Sequence, residues 1–247
     1  MTISLFQRLF AFRSFILLTA LAGCSAPGLA QDSLQVRVEG ILKEGLQLHG
    51  SKDYEGAIAK FSEAIKLAPG TGLIYVARGI AYMGKQDDDN AFRDFSKALE
   101  VGVANKGSEL YARRLRALIN TRKGKHQEAI DDLDIVIAQA TPETKDFALR
   151  GESKFKLGKH SDAMPDFNKA LELDPKNEMA LFSRAKIYLA LKMPEKALPD
   201  ITAAINIRPD GPNYYAVRAD VNKQLGKNEA ADADLKKEAE LRARPKQ

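Results

Sequence analysis

Three histidines, one cysteine and a few adjacent carboxylates are the residues able to do chemistry in this 247-residue chain. His126 and His160 stand in Gly-Lys-His-Gln-Glu-Ala and Gly-Lys-His-Ser-Asp-Ala, and His49 lies alone. Zinc holds its ligands at about 2 Å, and two histidines placed at the same point of successive structural units do not approach that closely. Paired carboxylates such as Asp131 and Asp132 are neighbours along a helix and point apart, unlike a catalytic pair. No Ser–His–Asp or Cys–His arrangement and no glycine-rich phosphate loop is legible. The sequence therefore predicts no catalytic residue, no metal ligand, no cofactor and no enzyme.

The cysteine, Cys24, is the only one, which excludes an intrachain disulfide. Residues 1–31 lack any acidic side chain, and Arg8 and Arg13 precede the apolar run from Phe15 to Gly23. A basic stretch followed by a short apolar run is the pattern of an export signal. The run is shorter than the roughly 20 residues a membrane span needs. Leu21-Ala22-Gly23-Cys24 resembles the lipobox of bacterial lipoproteins. That resemblance implies cleavage after residue 23, lipidation of the Cys24 sulfur, and anchoring at the periplasmic face of a bacterial membrane, with the outer membrane favoured. Gly28-Leu29-Ala30 offers a second cleavage point after Ala30, which leaves a soluble periplasmic or secreted protein. Residues 24–36, with Pro27 and Gly28, read as a flexible tether.

The elements behind these residues repeat. An alanine followed four positions later by an aromatic or aliphatic residue occurs as Ala57/Phe61, Ala91/Phe95, Ala129/Leu133, Ala163/Phe167, Ala197/Ile201 and Ala231/Leu235. The alanines are spaced 34, 38, 34, 34 and 34 apart. Twelve residues before each alanine stands a small residue: Gly45, Gly79, Ala117, Gly151, Ala185 and Ala219. Small side chains there let two helices approach closely. Pro69, Pro175 and Pro209 close three units, and Gly124, Gly158 and Gly226 break helices within units. This pattern resembles the tetratricopeptide repeat (TPR), a helix-turn-helix unit of 34 residues. The resemblance implies an all-α, right-handed α-solenoid of six units over 37–245. The units read as 38–71, 72–105, 110–143, 144–177, 178–211 and 212–245. Four extra residues around Gly102–Gly107 predict a lengthened helix or a loop. The polar last helix, in which Glu238 replaces the usual alanine, reads as a cap.

An opposite-sign pair recurs beside these columns: Glu44/Lys60, Arg78/Asp94, Arg116/Asp132, Arg150/Asp166, Arg184/Asp200 and Arg218/Asp234. The first is reversed in sign. Charge pairing between the two helices of one unit tolerates that reversal, whereas an arginine ladder for an anionic ligand would not.

TPR proteins bind polypeptide segments along the surface lined by the first helix of each unit. Carried over by position, the resemblance implies a partner-binding groove of Leu42, Leu46, Val76, Ile80, Met83, Tyr111, Arg114, Arg122, Phe155, Lys156, Phe182 and Lys186. The lining passes from aliphatic to aromatic and basic, which suits a partner segment carrying apolar and acidic residues. Leu42, Leu46 and Val76 stand where chaperone-binding members carry polar clamp residues, so chaperone-tail binding is not expected. A formal net charge of +5 falls by two when Arg8 and Arg13 leave, and the remaining dispersed lysines do not call for nucleic acid. Small six-repeat lipoproteins of this kind resemble type IV pilus pilotins, which implies a scaffold or adaptor role in assembling an envelope complex. A soluble TPR binder and a non-catalytic subunit of an envelope enzyme complex are the alternatives.

Overall fold

The computed structural model describes residues 28–244, with side chains from Ser33 onward. The stretch read as an export signal, the lipobox-like motif and Cys24 lie outside the described residues. Among the described residues there are twelve α-helices and no strand. They are α1 (Gly28–Gly50), α2 (Tyr54–Leu67), α3 (Gly72–Gly84), α4 (Asp88–Val101), α5 (Lys106–Arg122) and α6 (His126–Gln139), followed by α7 (Thr144–Lys156), α8 (His160–Leu173), α9 (Glu178–Ala190), α10 (Pro194–Ile207), α11 (Pro212–Gln224) and α12 (Asn228–Arg242). The chain divides into two compact units, Met1–Lys125 and His126–Gln247. The first holds α1 to α5 and the second α6 to α12.

The repeat shows in the helix boundaries. The even-numbered helices begin at residues 54, 88, 126, 160, 194 and 228, the same 34, 38, 34, 34, 34 rhythm as the alanines. The four additional residues take the first of the two expected forms. α5 has 17 residues where α3, α7, α9 and α11 have 13, so the insertion is one more helical turn. Gly102, at φ +87°, ends α4, and the Asn105 side chain accepts from the Ser108 N–H to start α5.

The stretch read as a tether is helical from Gly28 onward. Leu34, Val38, Ile41 and Leu42 recur at helical spacing and meet the core of the first hairpin, so the extension pairs its backbone groups within α1.

Within each unit the helix pairs close on the repeated motif. Phe61, Phe95, Phe167 and Ile201 are fully buried, as are all six motif alanines. The glycines of the small column face those rings. A Cβ built on Gly45 would lie 2.6 Å from Phe61, one on Gly79 2.7 Å from Phe95, and one on Gly151 2.9 Å from Phe167. Where the column carries alanine, as at Ala185 and Ala219, the opposing residue is the smaller Ile201 or Leu235. Volume is thus conserved across the contact, as close packing requires.

The turn between helices needs one left-handed residue. Gly124, Gly158 and Gly226 supply it at φ +72°, +75° and +72°, while Lys52, Gln86 and Lys192 adopt it at φ 65°, 62° and 55°. Glycine enters this conformation without steric cost, and the other three residues do not.

Four of the charge pairs close as bidentate arginine–aspartate contacts. Arg78 bonds Asp94 at 2.8 Å through both Nε and Nη2, and Arg218 bonds Asp234 at 2.9 and 2.6 Å. Arg150/Asp166 and Arg184/Asp200 do the same. The reversed pair, Glu44 and Lys60, meets at 2.5 Å. Arg116 and Asp132 belong to different compact units. The free edge of three of these guanidinium groups has a second use that the pairwise pattern hides. Nη1 donates to the second helix of the preceding repeat: Arg78 to Ser62 at 3.0 Å, Arg150 to Asp134 at 2.7 Å and Arg184 to Asn168 at 2.9 Å. One planar fork thereby ties three helices together.

Candidate functional site

The first helices of the second unit are α7, α9 and α11, each in contact with the next, and they gather four of the residues predicted for the groove: Phe155, Lys156, Phe182 and Lys186. Phe182 and Lys186 are four apart on α9, so they lie on one face a turn apart. Phe155, in the last turn of α7, completes the cluster. The Lys186 Nζ lies 4.8 Å from the Phe155 ring centre and 5.5 Å from that of Phe182. An ammonium is attracted to the negative face of an aromatic ring, and the attraction grows as water is excluded. Burial, helped by the nearby Lys156, pushes the Lys186 ammonium below the usual lysine range, while Glu152 pulls the other way.

Two further rings extend the cluster. His160, the first residue of α8, stacks on Phe155 with centroids 5.0 Å apart and planes 21° apart. Tyr214 of α11 meets Phe182 edge-on at 4.9 Å. From the sequence, His160 stands only at the same point of its unit as His126 does of its own. Tyr214 follows Phe182 by 32 positions rather than 34, so a search along the repeat period passes over it.

The structure distributes the remaining predicted residues among three environments. Leu42 and Val76 are 5% and 3% exposed and belong to the core of the first unit, so they pack helices rather than line a groove. The repeats there sit closely enough that this position faces a neighbouring helix. Leu46, Ile80, Met83 and Tyr111 are half-buried against the same cores and keep part of their surface open. Arg114 is half-buried on α5. Arg122 is exposed but engaged, its Nη1 donating to Asp88 at 3.3 Å, and the adjacent Lys123 pairs with Asp89. In the second unit Phe155, Phe182 and Lys186 are half-buried and Lys156 is exposed. The predicted residues that converge are therefore Phe155, Lys156, Phe182 and Lys186.

Among the described residues no group of three or more histidines, cysteines, aspartates or glutamates could hold a metal ion. No described helix is long and apolar enough to cross a membrane.

Two family models, both described as tetratricopeptide repeat, match residues 147–177 and 167–198. These matches cover α7 to the start of α10, the helices that carry the aromatic and basic cluster. Among curated proteins, serine/threonine-protein phosphatase 5 of Mus musculus is 31% identical over 119 residues. That alignment takes in 48% of this chain and 23% of the phosphatase, so the chain spans less than a quarter of that relative. Among solved structures, a tetratricopeptide repeat protein from Parabacteroides merdae superposes with a TM-score of 0.67 at 21% identity, over 84% of this chain and 80% of that one. Pseudomonas aeruginosa PilF gives 0.65 at 14% identity, over 82% and 90%. YrrB, described as a TPR protein with an unusual peptide-binding site, gives 0.59 at 19% identity, over 73% and 91%. The chain carries tetratricopeptide repeats, and its fold is that of the TPR helical solenoids.

Proposed function

We propose that this chain is a non-catalytic protein-binding scaffold of the bacterial cell envelope, which holds a partner polypeptide on the first helices of its repeats. TPR proteins act as protein-binding scaffolds, and the observation that carries the assignment here is the Phe155–Lys186–Phe182 cluster, half-buried on adjacent first helices. Rigid aromatic groups around a charged centre suit recognition of a segment with few ordering costs of its own. The lipobox-like Leu21-Ala22-Gly23-Cys24 supports export and a lipid anchor. Several acyl chains on one residue hold a protein at a membrane far more firmly than a single chain does. Assembly of an envelope complex is the role we favour; the likeness to PilF is one of fold.

Capture of partners from envelope extract, with wild-type chain and with Phe155→Ala/Phe182→Ala, tests the scaffold. The same polypeptide should be retained by the first and lost by the second, and equal retention would move the binding face elsewhere. Mass spectrometry of the mature N-terminus tests the anchor. A diacylated Cys24 supports it, whereas a free N-terminus at Gln31 places the protein among soluble secreted binders, the alternative favoured by Gly28-Leu29-Ala30.

A further inference from the structure

We propose that Lys186 is the anchor for a carboxylate of the bound partner, and that the rings of Phe155 and Phe182 seat a large apolar side chain beside it. The second unit would then select extended segments in which an acidic and a large apolar residue stand two positions apart, on one side of the chain. This inference rests on the protein-binding reading above and narrows it to one face and one ligand chemistry.

Lys186 carries a charge that its own surroundings only partly balance. Lys186 is half-buried between two rings and makes no ion pair among the described residues. Lysines elsewhere are paired within their own helices: Lys97 with Glu100 on α4 and Lys169 with Glu172 on α8. Around Lys186 the balance is reversed. Lys156 adds a second positive charge, and Glu152 offsets it only in part. Burial and a like charge both oppose the ammonium, so a carboxylate delivered beside Lys186 supplies the pairing that compensates them. A neutral apolar ligand would bury the ammonium further and leave it unpaired, which is costly.

The rings explain the apolar half of the preference. Stacking of His160 on Phe155 and the edge-on contact of Tyr214 with Phe182 fix both planes before any ligand arrives. Fixed rings offer apolar area with little rotamer entropy left to lose. Along an extended chain, successive side chains point to opposite sides and alternate ones share a side. An acidic residue and an apolar residue placed to face the cluster together thus meet the lysine and the rings in turn.

The test uses the full chain and three fluorescein-labelled dodecapeptides read by polarisation. In the first, aspartate and leucine or phenylalanine take turns at every second position, with serine between them, so that both share one side of the extended chain. The second replaces aspartate by asparagine, and the third replaces the apolar residues by serine. The first peptide should bind, and each replacement should weaken binding by about tenfold or more. Lys186→Met, which keeps the aliphatic stem, should reproduce the loss on the first peptide, while Lys66→Met should not. As a readout that needs no variant, the first peptide should shield Lys186 from an amine-acylating reagent, scored by mass spectrometry, and leave Lys66 unshielded.

Equal binding of the asparagine peptide, or full affinity in Lys186→Met, overturns the carboxylate assignment while partner capture still upholds the scaffold. Equal binding of the serine peptide would mark a non-specific anionic contact and equally overturn it. Failure of the wild-type chain to bind any of the three removes the proposed ligand chemistry, and the capture experiment then judges the scaffold by itself.

Discussion

The guanidinium of Arg184 holds Asp200 by two hydrogen bonds, Nε to Oδ2 at 2.7 Å and Nη2 to Oδ1 at 2.8 Å. Its remaining nitrogen donates to Asn168 of the preceding repeat at 2.9 Å. The contact is charge-assisted and mostly shielded, the Asp200 side chain being 9% exposed. Asp200→Ala should therefore destabilise the chain by about 2–3 kcal/mol, the loss expected for partners of a shielded ion. Urea unfolding measures it. The swap Arg184→Asp with Asp200→Arg should recover only part of the loss, because the third bond to Asn168 depends on an arginine at residue 184. In the first repeat, Glu44→Ala should cost under about 1 kcal/mol, since that pair is exposed.

Gly79 and Phe95 form a volume pair. A Cβ at Gly79 would lie 2.7 Å from the ring, and Phe95 is fully buried. Gly79→Ala should destabilise by about 1–3 kcal/mol through overpacking. Phe95→Leu alone should cost a similar amount by opening a cavity. Together they reproduce the alanine-with-aliphatic combination of Ala185 and Ile201, so the double variant should be more stable than the sum of the single losses predicts. Additive losses in a double-mutant cycle would contradict the pairing.

Lys192 adopts φ 55° at the turn where three other repeats place glycine. Lys192→Gly should raise stability by up to about 1 kcal/mol by relieving that strain. Gly158→Ala, at φ +75°, should lower it by about 1 kcal/mol. Thermal unfolding of the two variants should shift in opposite directions.

Asp87 caps α4, accepting from the Asn90 N–H at 3.1 Å and from its Nδ2 at 2.7 Å. These hydrogen bonds hold its carboxyl below the ordinary 3.8. A carboxylate with a depressed folded-state pKa stabilises above its unfolded value, and the contribution vanishes as pH falls through the folded one. Asp87→Ala should thus be about 1 kcal/mol less stable than wild type near neutral pH. The two unfolding curves should converge as acid takes the pH well below 3.8, and a constant gap would show that the charge is not involved.

Several features were legible because they depend only on residue type at a fixed spacing. The motif alanines, the small column and the opposite-sign pairs each recur with the helix boundaries; the alanines are buried, and five of the six pairs close across one helical hairpin. Leu42 and Val76 were misread because a stripe of aliphatic residues at helical spacing looks the same whether it faces a groove or a neighbouring helix. Tyr214 was missed because its contact with Phe182 falls two residues out of the repeat register.

By itself the sequence determined the repeat period, the pairing of helices into hairpins and the four-residue excess near Gly102, since each is a local pattern of side-chain size, charge and turn chemistry. Tertiary structure decided that the excess lengthens α5, that Arg78, Arg150 and Arg184 also reach the helix before their own, and that Lys186 comes to rest between Phe155 and Phe182. Those outcomes depend on how close neighbouring helices approach and at what offset, distances set by packing between helices rather than by any one segment.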